Sequence, residues 1–360
     1  MERLTPLPWQ QEMWSQLVGW RERLPHALLL HGGRGIGKRH LMTAYAQLLL
    51  CESPVDDAPC GRCAGCQLLA ADNHPDLRCL TPAALIPDRN DADDAAEESQ
   101  ADRAEARAGK AKSREIVIDQ VRKISEFLAI SSHRGGRRVV LVLPAEALNA
   151  SAANALLKML EEPPPGVAFL AVSDRLDAVL PTILSRCVLL RAPVPSHEQS
   201  IAWLRSNGVD RAEAKLAEAG GAPLCVEGLS TLDPRQILDP ALHDALIKLL
   251  GRGAALTGAQ IVSTVPKDIA VGPAIRLLQR WGWDLLAERL AGRVRYYPQH
   301  QRQFAALGRT VEPVHVVEWT AALAQMQAVS DHPLNARLVI ESALLGYAEA
   351  MRPEGTATAR

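Results

Sequence analysis

The sequence predicts an α/β protein: a parallel sheet wrapped by helices, followed by a region made only of helices. Short apolar runs alternate with helical patterns up to about residue 195, and a glycine-rich loop joins the first run to the helix after it. No strand pattern follows Pro195. Strands that alternate with helices form parallel sheets covered by helices. A chain of 360 residues has room for two or three domains.

The elements of the first part follow from apolar runs and helical spacing. Buried strands are predicted where the apolar runs stand, within "HALLLHG" (26–32), "RRVVLVL" (137–143), "VAFLAVS" (167–173) and "CVLL" (187–190). Five helices are predicted. They lie over "PWQQEMWSQLVGWRERLPH" (8–26), from Lys38 onward, over "EIVIDQVRKISEFL" (115–128) with Asp119 as its cap, over "SAANALLKMLEE" (151–162) and over "PTILSR" (181–186). Prolines 163–165 end the fourth of these helices, because proline cannot continue a helix.

The second part carries helix signals only. Ser196 with Gln199 and Asp210 with Glu213 have the spacing of capping boxes. Further helices are predicted around 240–250, 268–291, 313–329 and 333–351. We place domain boundaries near residues 195 and 236.

Residues 87–115 differ from their surroundings, because they contain no Val, Ile, Leu or aromatic side chain. Such a segment cannot bury enough apolar surface to offset the entropy lost on ordering. It is predicted to be a disordered surface insertion between a strand and a helix.

Composition excludes two classes of protein. The formal net charge of −1 argues against a generally basic coat for nucleic acid. No signal peptide and no run of eighteen apolar residues is present, so we expect a soluble, cytoplasmic protein with no membrane partner. Cysteines in that compartment are thiols or metal ligands before they are disulfides.

Four of the seven cysteines form the pattern C-x8-C-x2-C-x2-C, with Cys51, Cys60, Cys63 and Cys66. This spacing predicts a structural zinc site in which protein sulfurs fill all four positions. Ordinary buried cysteines and a redox C-x-x-C are the alternatives, and the second does not explain four residues. Cys79, Cys187 and Cys225 are predicted to be lone buried thiols.

The glycine loop is nearly a phosphate-binding loop. Gly32, Gly37 and Lys38 fit the pattern, with Gly35 between them, but Arg39 stands where the pattern has Ser or Thr. The three glycines and Lys38 are candidates for binding phosphate at the start of a helix. The alternative is that the loop survives only as an element of the fold.

The order of these motifs resembles the clamp-loader branch of the AAA+ family. The glycine loop is followed by "LLLCE" with "CGRCAGC", "HPDL", "ANALLKMLEEPP", "LPTILSRC" and "NARLVIESALL". The resemblance covers most of the chain apart from 87–115. It implies an AAA+ core with a zinc module over 1–194, a small helical lid over 195–236 and a helical collar for oligomerisation over 237–360.

The family contains motor subunits that split ATP, and three departures set this chain apart from them. Arg39 replaces the hydroxyl that binds magnesium, Pro144-Ala145-Glu146 replaces the acidic pair after the second strand, and Pro223 stands near the position of a phosphate-binding arginine in the lid. We therefore expect no ATP hydrolysis by this chain, while residual nucleotide binding stays open. The alternative is an active ATPase of the gamma/tau type.

The resemblance also implies a role for Arg186 in "SRC" and a set of partners. In the family this arginine reaches the ATP of an adjacent subunit and stabilises the transferring phosphoryl group. An arginine held by a local carboxylate is the structural alternative. The implied partners are delta and gamma/tau subunits in a hetero-pentamer of the DNA polymerase III holoenzyme, which loads a sliding clamp onto primed DNA. A zinc-dependent nucleic-acid module is a third reading, disfavoured by the net charge.

Overall fold

The computed structural model of the chain describes residues 4–86, 113–129, 136–226, 238–309, 311–328 and 335–352. The predicted insertion lies outside the described residues except for 113–115. The chain divides into two compact units, Met1–Gln199 and Ser200–Arg360. Among the described residues, no helix combines the length and the apolar character that crossing a bilayer requires.

The first unit alternates strands and helices as predicted. After a short 3-10 turn at Pro8–Gln10, its elements are α1 (Gln11–Gly19), β1 (Ala27–His31), α2 (Lys38–Leu50), α3 (Ala64–Ala70), β2 (Leu77–Leu80), α4 (Ile118–Ala129), β3 (Arg138–Val142), α5 (Ala150–Glu161), β4 (Val167–Ser173), α6 (Pro181–Leu184) and β5 (Val188–Arg191).

The five strands form one parallel sheet in the order β2-β3-β4-β1-β5. Strand β1 lies between β4 and β5, and its last residue, His31, is paired with Ser173 on one side and Arg191 on the other. The carboxyl ends of all strands therefore point to one edge of the sheet. We call this the carboxyl edge, and the opposite one the amino edge.

The three central strands, β1, β3 and β4, are buried on both faces, as their continuous apolar runs predict, whereas the edge strands β2 and β5 carry exposed side chains. Alternate residues point to opposite faces, so Leu28 and Leu30 join a core with α1 and α2, while Ala27 and Leu29 join a second core with α4 and α5. The described part of this unit is thus a three-layer α/β structure, with a parallel sheet between two layers of helices.

The region after Pro195 is helical wherever the structure describes it. Its helices are α7 (His197–Ser206), α8 (Ala212–Glu218), α9 (Pro240–Leu250), α10 (Gly258–Thr264), α11 (Val271–Ala291), α12 (Gln301–Gly308), α13 (Pro313–Ala328) and α14 (Ala336–Ala350). Apolar side chains between Ile201 and Val226 form a small cluster of their own, distinct from the large one between Leu238 and Met351. The division into lid and collar at residue 236 stays a prediction.

The large helical cluster centres on α11. Trp281 is fully buried there and donates its indole N–H to the hydroxyl of Tyr347, 3.2 Å away. One turn on, the buried Asp284 carboxylate accepts backbone N–H groups from Arg295, Tyr296 and Tyr297 at 2.7–3.1 Å. Burial raises the pKa of Asp284, and these three donors act in the opposite direction.

Two predicted caps are wrong and one is confirmed. Ser196 and Gln199 exchange the two hydrogen bonds of a capping box, at 2.9 and 3.1 Å. Asp210 forms no such box, because Arg211 in a left-handed conformation precedes α8 and Glu213 instead accepts a bond from Arg205. Asp119 lies inside the first turn of α4 rather than before it.

Candidate phosphate-loop, arginine and cysteine sites

The glycine loop joins β1 to α2 at the carboxyl edge of the sheet, between strand and helix as predicted. Gly35 and Gly37 have φ of +75° and +94°, a region that side chains with a Cβ rarely adopt. Gly37 occupies the residue before α2, so the loop turns sharply into the helix. The structure therefore places the four predicted residues in one short loop at the start of α2: Gly32, Gly35, Gly37 and Lys38.

The side chain of Lys38 is enclosed in this loop. It is only 3% exposed, and its Nζ lies 2.6 Å from Oδ1 of Asp174. The same nitrogen donates to the carbonyl oxygens of Gly32 at 2.8 Å and Gly33 at 2.6 Å. An ammonium group has three N–H donors. All three donors of Lys38 are thus used inside the chain.

Asp174 reaches Lys38 because it directly follows β4, the neighbour of β1. The Gly32 N–H donates to the carbonyl of Ser173 at 3.2 Å, which extends the pairing of the two strands by one residue. The Asp174 N–H donates to Oε1 of Glu146 at 2.8 Å. Glu146, the only carboxylate in the Pro144-Ala145-Glu146 segment, thus serves to hold a backbone group.

The outer side of the loop is held by the N-terminal segment. Trp9 donates its indole N–H to the carbonyl of Ile36 at 2.9 Å, and the Gln10 amide donates to the carbonyl of Gly37 at the same distance. Both side chains are buried. The helix predicted over this segment did not indicate the contact.

Arg186 lies at the amino edge, on the far side of the sheet from the glycine loop. It follows α6 and precedes β5, whose Val188 is paired with Leu28 of β1. The four residues of β5 alone span about 13 Å. Arg186 is therefore separated from the phosphate loop of its own chain by the length of the strands.

The guanidinium of Arg186 is held but not enclosed. One nitrogen donates to the carbonyl of Thr182 at 2.9 Å and to the Ser185 hydroxyl at 3.1 Å, and the other forms an ion pair with Glu161, the last residue of α5. The Arg186 side chain is 33% exposed and lines an open cavity of about 550 Å³ together with His26, Leu160, Glu161 and Ser185. The local carboxylate that the sequence left as an alternative is present.

The four cysteines of the predicted zinc module converge after α2. Their Sγ atoms all lie within 4.8 Å of one another, and the pairs Cys51–Cys63 and Cys60–Cys66 are 3.9 Å apart. A zinc ion with Zn–S bonds of 2.3 Å separates tetrahedral sulfurs by about 3.8 Å. The four residues can hold a metal ion of that size.

Backbone N–H groups point at three of the four cysteine sulfurs. N–H groups of Cys60, Cys63 and Cys66 point at the sulfurs of Cys51, Cys60 and Cys63, at 3.2–3.3 Å. Backbone N–H groups of Arg62 and Cys63 lower the pKa of Cys60 to about 6, whereas burial raises the pKa of Cys51 and Cys66. A bound cation would stabilise the thiolate form of all four.

Gly65 keeps the cysteine segment against α2. A Cβ at this position would lie 2.7 Å from the carbonyl oxygen of Leu50 and 3.8 Å from the sulfur of Cys63. Glycine is therefore needed here for the close approach of two backbones. The prediction for the other cysteines is wrong in part, because Cys79 is exposed and Cys187 and Cys225 are only half-buried.

Comparisons with known proteins agree with this architecture. A family model described as DNA polymerase III, delta subunit, matches residues 9–195. The DNA polymerase III subunit delta' of Pseudomonas aeruginosa is 34% identical over 345 residues, which cover 92% of this chain and 90% of that protein. The subunit delta' of Haemophilus influenzae is 35% identical over 201 residues, 55% of this chain and 53% of that protein.

Among solved structures, a gamma subunit-related protein of DNA polymerase III from Thermotoga maritima is similar over 94% of this chain and 99% of that one. Its TM-score is 0.47 at 19% identity.

The strand order and the glycine loop between β1 and α2 define the first unit as an AAA+ core of the α/β class. Within that class, the chain belongs to the family of DNA polymerase III subunit delta'. The resemblance expected from the motifs, to the delta-prime subunit, is confirmed.

Proposed function

We propose that this chain is a non-catalytic subunit of the DNA polymerase III clamp loader. In this role it assembles with delta and gamma/tau subunits in a hetero-pentamer that places the sliding clamp on primed DNA in the cytoplasm. It contributes a rigid AAA+ core, a helical collar and Arg186. Family membership supports the loader role, and the geometry of the two edges of the sheet supports the division of labour.

The observation that carries the proposal is a difference between the two edges of the sheet. At the carboxyl edge, groups of the same chain occupy the phosphate-loop lysine, whereas at the amino edge Arg186 borders an open cavity. Lys38 donates its three N–H groups to Asp174 and to two loop carbonyls. Arg39, which replaces the magnesium-binding hydroxyl, is exposed. The loop of this chain therefore offers neither a lysine nor a hydroxyl to an incoming magnesium nucleotide.

Arg186 acts on a neighbour rather than on its own loop, because the two lie at opposite edges of the sheet. Its guanidinium borders an open cavity and has a planar fork that fits phosphate oxygens. An arginine supplied to a neighbouring nucleotide stabilises charge on the transferring phosphoryl group. The Thr182 carbonyl and the Ser185 hydroxyl hold one nitrogen of the guanidinium in place beside the cavity.

Zinc is the metal we propose for the cysteine cluster. Four sulfur ligands at tetrahedral spacing are typical of structural zinc, and no position is left for substrate. The ion would fix the segment between α2 and α3. A redox role does not fit four converging sulfurs.

ATP turnover by the isolated chain distinguishes the proposal from the active-ATPase alternative. The purified chain should turn over no ATP above background, because both magnesium anchors are missing. Arg39→Thr alone should not restore hydrolysis, since Lys38 stays engaged and Pro144 stays in place. Phosphate release in the presence of primed DNA and clamp measures this, with the reconstituted loader as the positive control. Robust turnover by the natural chain would establish a motor subunit, whereas robust turnover by Arg39→Thr alone would show that Pro144 does not prevent hydrolysis.

Metal analysis tests the zinc proposal. Protein purified without chelator should contain about one zinc per chain, and Cys63→Ser should lose it and loosen the segment between α2 and α3. Cys79→Ser is the matched control, because Cys79 is exposed on β2 and lies outside the cluster; it should keep the metal. Full zinc content in Cys63→Ser would remove Cys63 from the ligand set.

A further inference from the structure

The pair formed by Lys38 and Asp174 has a consequence for ligand binding at the glycine loop. In a phosphate-binding loop the lysine ordinarily contacts the phosphate groups of the bound nucleotide. Here the negative charge at Nζ comes from the chain itself, 2.6 Å away.

Two backbone contacts fix the position of Asp174. Its preceding residue is held by strand pairing with β1, and its own N–H is held by Glu146. The carboxylate is 37% exposed, whereas the lysine side chain is 3% exposed. An anion arriving from solvent therefore meets the Asp174 carboxylate before it meets the ammonium.

The rest of the loop keeps the shape of an anion site. Gly35 and Gly37 keep their left-handed conformations, and α2, with thirteen residues, begins at Lys38. Backbone N–H groups at such a turn and at the start of a helix attract phosphate. The buried ammonium and the turn are both present, and of the three acceptors of Lys38 the Asp174 carboxylate is the one that carries a negative charge and so repels a polyphosphate.

We propose that Asp174 is the residue that excludes polyphosphate from this loop, by supplying the negative charge that Lys38 would otherwise take from a ligand. Replacing its charge with a neutral amide of the same shape leaves a buried ammonium that gains from a bound anion. This inference rests on the proposed non-catalytic role, and it adds that binding is lost through one side chain.

The test is titration of the purified full-length chain with inorganic tripolyphosphate, and with ATP in the presence and absence of magnesium, by calorimetry. Asp174→Asn should bind tripolyphosphate at least tenfold more tightly than the natural chain. Asp177→Asn is the matched control, because Asp177 is exposed three residues away and its loss changes net charge equally; it should leave affinity unchanged. Adding Lys38→Met to Asp174→Asn should abolish the gain.

A melting measurement covers the case of a destabilised variant. Asp174→Asn and Asp174→Ser should both gain in Tm with added tripolyphosphate, since a ligand that binds only the folded chain stabilises it. No gain in affinity or Tm over Asp177→Asn would overturn the role of Asp174 and leave the non-catalytic role intact. Tight binding of magnesium ATP by the natural chain would overturn both.

Discussion

Lys38 and Arg186 are two cations of one AAA+ core, each paired with a carboxylate, and they differ in what surrounds the pair. Lys38 is buried at the carboxyl edge with three acceptors. Arg186 is a third exposed at the amino edge beside an open cavity. The difference teaches that a buried ion pair, such as Lys38 with Asp174, keeps its cation from an incoming ligand. A surface ion pair, such as Arg186 with Glu161, leaves its cation within reach of another molecule.

The largest expected difference between the two sites is in stability. Lys38→Met removes the ammonium that contacts the Gly32 and Gly33 carbonyls and Asp174, and should lower the free energy of unfolding by about 2 kcal/mol. Arg39→Met, an exposed neighbour, should change it by less than about 0.5 kcal/mol. Urea denaturation measures both. Equal effects would mean that the enclosure of Lys38 contributes nothing.

The second expected difference is in function. Arg186→Ala should fold and assemble normally, because a surface ion pair contributes about 0–1 kcal/mol. It should lower the clamp- and DNA-stimulated ATPase of the reconstituted loader in part, since one of several ATP sites would lose its arginine. Arg186→Lys should restore only some of the loss, because lysine lacks the planar fork.

Arg191→Ala is the control for Arg186, because Arg191 is exposed at the other end of β5, on the carboxyl edge. Its loader should hydrolyse ATP and load clamp at the natural rate. If the Arg186→Ala loader, with assembly confirmed, also ran at the natural rate, the contact with Glu161 would be the whole role of Arg186.

The smallest expected effect belongs to Glu161→Gln. Glutamine keeps an acceptor near Arg186 but removes the charge, so stability should change by less than about 1 kcal/mol. Loader ATPase should stay within about twofold, as it should for Glu162→Gln, the exposed neighbour. A loss of stability as large as that of Lys38→Met would show that the Arg186 pair is a core element, and the contrast between the two cations would disappear.

Local patterns in the sequence predicted most of the fold. The strands at 27–31, 138–142, 167–173 and 188–191 follow from apolar runs. Strand β2 (Leu77–Leu80) was not located by its own pattern, because it is a four-residue edge strand with two exposed side chains. Helices α3, α10 and α12 were missed as well, since seven or eight residues carry too little periodicity.

The sites divide in the same way. The cysteine cluster could be predicted, because its four ligands lie close together in the sequence, between Cys51 and Cys66. The contact of Lys38 with Asp174 could not, since it joins residues from the ends of two strands and needs the order of the sheet. One signal was available: Asp174 directly follows a predicted strand, and the carboxyl ends of parallel strands meet at one edge.

The parallel arrangement of the strands separates the polar groups of the core into two sets. The segments that follow β1, β3 and β4 leave the sheet at the carboxyl edge, whereas the segment that carries Arg186 enters β5 at the amino edge. The two sets lie about the length of a strand apart, and the effects of substitutions at such distant sites usually add. The glycine loop and Arg186 are therefore independent in mutational terms, so that a chain whose own loop binds no nucleotide keeps Arg186 at the opposite edge.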